Sequence, residues 1–130
     1  MSIWCNRGIV TAPLCYALCT TEFQFREQLR RMKVPRETWP EFLKTPSTDA
    51  NVHFFYSEKN ACAIVCIRLR SDVSGVQIAA LLVHEAVHIW QEIRDIIGEK
   101  SPSKEFEAYS IQAIAQELML QYQRQTGLTS

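Results

Sequence analysis

The chain has 130 residues, of which 47% are hydrophobic and 22% charged. That is one domain of ordinary globular composition, able to bury a core without disulfides or a structural metal, and it excludes disorder for most of the chain. Fourteen basic and fourteen acidic residues leave no net charge, so a strongly electrostatic role such as coating nucleic acid is not indicated. Within that balance, residues 1–70 hold ten Lys/Arg against six Asp/Glu, and residues 71–130 hold four against eight. The basic excess gathers in Arg26, Arg30, Arg31, Lys33 and Arg36, and it reads as a solvated helix face before it reads as a polyanion site.

Residues 1–20 carry no decisive pattern. No stretch reaches the ~18–20 apolar residues of a membrane span. Pro13 interrupts the moderately apolar start and Arg7 is its one charge, so a signal peptide is not expected. Five cysteines, Cys5, Cys15, Cys19, Cys62 and Cys66, make an odd count that argues for reduced thiols in a cytoplasm. Their two C-x3-C spacings are loose for a zinc knot, and buried free thiols are the expectation.

Thr21 and Gln24 form a capping-box pattern, so a helix is expected from about 22 to 32, ending before Pro35. Residues 35–44 read as a loop with one helical turn, and 45–51 are turn chemistry throughout. Val52–Ser57 and Ala61–Leu69 are rich in β-formers around Glu58-Lys59-Asn60, which predicts a hairpin. The second strand is apolar from Ala61 to Ile67, as a strand covered on both faces would be. Ser74 and Gln77 make a second capping box, helical periodicity runs to Ile97, and Gly98 supplies the stop. Ser101-Pro102 reads as an N-cap with Pro at the first helical position of a last helix that runs to about Arg124, with Gly127 after it. The expected plan is one α+β domain over 1–130. A helical and loop segment, 1–50, precedes a core at 51–126 with a small sheet packed on two long helices.

The middle of the first long helix reads His84-Glu85-Ala86-Val87-His88. This is H-E-x-x-H on a helix, where residues four apart share a face and two imidazoles can reach one tetrahedral zinc. Glu85 is rotated about 100° from His84, beside the metal, where it can take a proton from water. The apolar flanks IAALLV and IW imply a largely buried helix, in which uncompensated imidazoles and carboxylate would be costly. A catalytic zinc needs a third protein ligand. The extended metzincin pattern would put Gly and His at the positions of Gln91 and Arg94, so that pattern does not apply. The next helix offers Glu105 and Glu107, the latter nineteen residues after His88, a spacing that suits an antiparallel helix pair.

With E107-A108-Y109-S110 downstream of H84-E-x-x-H88, the chain resembles the gluzincin branch of zincin-like metallopeptidases. The run E107-A-Y-S-I-Q-A-I-A-Q-E-L-M is also similar to the ImmA/IrrE-type peptidases, and the match covers about residues 52–120. The resemblance implies a minimal zincin-like domain of bacterial or phage type, with Zn2+ on His84, His88 and Glu107 and with Glu85 as general base. It departs from the family at Tyr109, where ImmA/IrrE-like proteins carry Asn, and at Ile111, where thermolysin-like members carry an Asp. Gln91 or Gln112 are then the candidates to orient a ligand histidine.

Oxyanion donors are sought among His53, Tyr56 and Tyr109. The expected activity is zinc-dependent peptide hydrolysis on a peptide substrate or one dedicated protein target, with an extended peptide adding to the hairpin sheet. The alternative is a non-catalytic binding or assembly module with structural zinc or none. A variant has Cys5, Cys15 or Cys19 closing the zinc site in a latent form. A third reading is a regulator that binds nucleic acid through the basic 26–36 helix.

Overall fold

The computed structural model describes residues 2–5 and 13–127, so Arg7 lies outside the described residues. Pro13 sets off a short apolar run that forms strand β1, Cys15–Cys19. Thr21 then caps helix α1, Glu22–Arg31, through the reciprocal box with Gln24. Lys33 takes a positive φ of 59° just beyond it, and a single 3-10 turn follows at Arg36–Thr38. Strands β2, Ala50–Tyr56, and β3, Ala61–Ile67, form the expected hairpin.

Helix α2, Gly75–Ile97, starts on the Ser74/Gln77 box and ends on Gly98 with φ 72°. Helix α3 spans Lys104–Thr126. Its cap is Ser103, which accepts from the Phe106 N–H at 3.2 Å, and not Ser101. Pro102 therefore precedes the cap instead of opening the helix.

The sheet has the order β1-β3-β2. β1 runs parallel to β3, with Cys15 opposite Cys62 and Cys19 opposite Cys66, and β2 runs antiparallel with Val52 opposite Val65. Sequence reading gives no strand at 15–19, and this strand explains the composition of β3. With a neighbour on each side and helices on both faces, β3 is central and its residues Ala63–Ile67 are all fully buried. The second strand also ends at Ile67, short of the expected Leu69.

Strand alternation divides the core in two. Tyr16, Leu18, Val52, Ala63, Val65 and Ile67 pack under α2 and α3 with Leu82, Ala86, Ile89, Trp90 and Leu118. Cys19, Ile64 and Cys66 face the other way, onto Phe25 and Leu29 of α1, with Trp39, Phe42 and Phe55 around them. Residues 2–5 lie along β1: the Cys5 N–H donates to the Tyr16 carbonyl at 2.9 Å, and the Leu18 N–H donates to the Ile3 carbonyl at 3.1 Å. β2 is thus an edge strand of the described sheet. No helix among the described residues is long and apolar enough to cross a membrane.

Candidate metal centre

Helix α2 lies with its apolar stripe on the sheet, and that sets which way each motif residue points. Ala86, Ile89, Trp90 and Ile93 are buried under it. His84 and His88 fall on the solvent side and are exposed, while Glu85 lies at the border and is only 3% exposed. The three offer ligand atoms that all lie within 4.8 Å of one another, and they are the one such group of three or more among the described residues.

The two histidines approach through their Nε2 atoms, 3.2 Å apart, with the rings edge to face. Two nitrogens on one tetrahedral zinc, each at 2.0–2.1 Å, are separated by about 3.3 Å. The pair therefore already has the separation that one metal ion requires. His88 Nδ1 lies 3.2 Å from Gln91 Oε1. An amide oxygen only accepts, so the Nδ1–H tautomer of His88 would donate to it and leave Nε2 to hold a metal. Of the two candidate glutamines, Gln91 is the one in contact with a motif histidine, whereas Gln112 is an exposed residue of α3.

Burial pushes the Glu85 carboxyl above its ordinary value, opposed by the charges of His84, His88 and Lys44. Lys44 belongs to the loop before β2. Its N–H donates to Asn51 Oδ1 at 2.8 Å, which holds the loop on that strand. Sequence reading gives Lys44 no role, since nothing local marks a lone lysine in a turn.

Glu107 is not brought to this group. It accepts from the Trp90 indole N–H at 2.8 Å and faces Arg94 at 3.7 Å. The geometry of α2 gives the reason. Trp90 is two residues beyond His88, a rotation of about 200°, so α3 packs on the flank of α2 turned away from the histidines. Glu105 is exposed on α3. Tyr109, also on α3, is 66% exposed and points away from the core.

His53 is not brought to the group either. It alternates with Val52 and Phe54 and so lies on the α1 face of the sheet, stacked on Phe25 with centroids 5.1 Å apart. Its Nε2 is 3.1 Å from the Phe42 carbonyl, which makes it an anchor for the preceding loop. Tyr56 ends β2 on the histidine side of α2. Its hydroxyl donates to Glu92 Oε2 at 2.7 Å, and Glu92 lies one turn beyond His88. Desolvation first, then the Glu92 carboxylate, push the Tyr56 phenol up to about 12.

The cysteines lie elsewhere. Cys5 packs against α3 near the Glu117 carbonyl, Cys19 is buried on the α1 face, and Cys15 is on β1, across the sheet from β2. None of them joins the His84-Glu85-His88 group. On α1, Arg26 and Arg30 pair with Glu22 and Glu27 of the same helix, which spends much of the basic face on local ion pairs. Comparison with family models, curated proteins and solved structures finds no match to this chain.

Proposed function

We propose that the chain is a zinc-dependent peptidase centred on His84, Glu85 and His88. The observation that carries this reading is the 3.2 Å separation of the two histidine Nε2 atoms beside a buried carboxylate. His84 and His88 would hold the ion. Zinc supplies Lewis acidity, which polarises a carbonyl and makes water more acidic.

The remaining steps belong to the chain. Glu85 sits at the border of the buried stripe and receives the proton of the attacking water. It then returns that proton to the leaving amine. Among the described residues β2 has no strand neighbour on its outer side, where an extended peptide would add, a second feature that supports a peptide substrate. Of the three oxyanion candidates, Tyr56 is the one on the histidine side of α2, and we assign it that role.

Elemental analysis and a peptide-library assay test the reading together. Wild type should bind stoichiometric zinc and cleave. His84→Ala should lose both properties, and Glu85→Gln should keep zinc and lose cleavage. Full cleavage by Glu85→Gln would sink the mechanism, and absence of zinc uptake by wild type would sink the site.

A second reading is favoured by one observation. Glu107 is engaged by Trp90 and Arg94, which leaves the ligand set one residue short of a catalytic zincin. On that reading the domain is a non-catalytic module, and zinc uptake without cleavage in wild type would identify it.

A further inference from the structure

The cysteines are left over from the site, and their positions are not random with respect to the sheet. Cys15 and Cys19 are four apart on β1, and Cys62 and Cys66 are four apart on β3. The parallel register aligns the two spacings, so Cys15 is the direct partner of Cys62 and Cys19 that of Cys66. Residues four apart on a strand share a face, so all four thiols lie on the α1 side.

The pairs differ in exposure. Cys19 and Cys66 are fully buried, whereas Cys15 is exposed and Cys62 is half-buried. Adjacent strands lie about 4.7–4.9 Å apart, inside the ~4.4–6.8 Å window of Cα separations that a disulfide bridges. All five thiols are free in this structure. The outer pair is therefore within the range of Cα separations that a disulfide bridges, and reachable by a small oxidant.

We propose that Cys15 and Cys62 are a redox-active dithiol, which a peroxide converts to a reversible disulfide between β1 and β3. The Cys15 thiolate attacks the peroxide O–O bond and becomes a sulfenic acid, releasing hydroxide. The Cys62 sulfur then displaces the sulfenic oxygen as water, and the S–S bond forms. Two thiols are oxidised by two electrons, and one peroxide is reduced to two waters. Cys15 makes the first attack because it is exposed. Cys62, whose thiol is pushed up to about 11 by burial first and Cys15 second, is the resolving partner.

Side chains of register partners in a parallel ladder stand side by side, so their Cβ atoms are held at about the strand spacing, above the usual ~3.8 Å. Such a bond is strained and easily reduced, as a reversible switch requires. Oxidation ties together two strands 47 residues apart in sequence, next to the pairing of residues 2–5 with β1. The proposal is independent of the metal centre.

The test is titration of the full chain with hydrogen peroxide, followed by thiol counting and non-reducing peptide mapping. Wild type should drop from five free thiols to three, with one intrachain Cys15–Cys62 crosslink that dithiothreitol reverses. Cys15→Ser and Cys62→Ser should each form no intrachain crosslink, and Cys19→Ser should form it as wild type does. A Cys15 that ends as sulfinic acid or as a Cys15–Cys15 dimer, with Cys62 still free, would overturn the proposal. So would a crosslink at Cys19–Cys66.

Discussion

Glu107 accepts from the indole N–H of Trp90, a ring only 2% exposed. Removing that acceptor leaves a buried donor without a partner, which costs about 1–3 kcal/mol. Glu107→Ala is therefore expected to lose stability by that amount in urea denaturation while binding as much zinc as wild type. Glu105→Ala, at an exposed position, should change neither quantity. Loss of zinc in Glu107→Ala would instead put that residue in the ligand set. His53 offers a second test at this scale. Desolvation holds the ring below its ordinary value of 6.5, against the hydrogen bond to the Phe42 carbonyl. Between the two values the unfolded chain binds the proton and the folded chain does not. Stability therefore rises with pH in that window and is lost as pH falls below 6.5. An NMR titration of the His53 ring should give a midpoint below 6.5, and His53→Gln should lose less stability on acidification than wild type.

At the scale of elements, the helices were the most legible part of the chain. The Ser74/Gln77 box and the Gly98 stop are local chemistry, and α2 begins and ends where they say. Ser74→Ala is expected to cost about 1 kcal/mol in thermal or denaturant melts. It should leave zinc affinity unchanged, because the fraying is confined to the first turn and His84 lies more than two turns along. The start of α3 was displaced because serines flank Pro102 on both sides, and sequence alone favours the earlier one; the structure caps on Ser103. β1 is the element that no local pattern marks. Its five residues carry no turn signal toward a neighbour in sequence, since their partner is a parallel strand 47 residues away. The indirect sign of it was present in β3, whose unbroken apolar run demands cover on both faces.

For the molecule as a whole, α3 is held against α2 and β1 by a few buried side chains, among them Ile114, Ala115 and Leu118. Leu118 is fully buried in the cluster shared with α2 and β1. Leu118→Ala is expected to cost about 2–5 kcal/mol, read from the denaturation midpoint at constant m-value. Because α3 packs on the flank of α2 opposite the histidines, what remains folded should retain its zinc site. A parallel loss of zinc and fold would mean that the two are coupled through α3.

Local pattern is enough for the α+β class, the hairpin, both long helices and the His84-Glu85-His88 group. Each depends on spacing within one element: period two for a strand, period 3.6 for a helix, and i,i+4 for two imidazoles on one face. Where Glu107, His53 and Tyr56 stand relative to that group follows from long-range packing. Their positions depend on which flank of α2 meets α3, which face of the sheet meets α1, and which strand is left at the edge. A local pattern carries none of that information, because a side chain two residues along a helix, or one along a strand, turns to the opposite side.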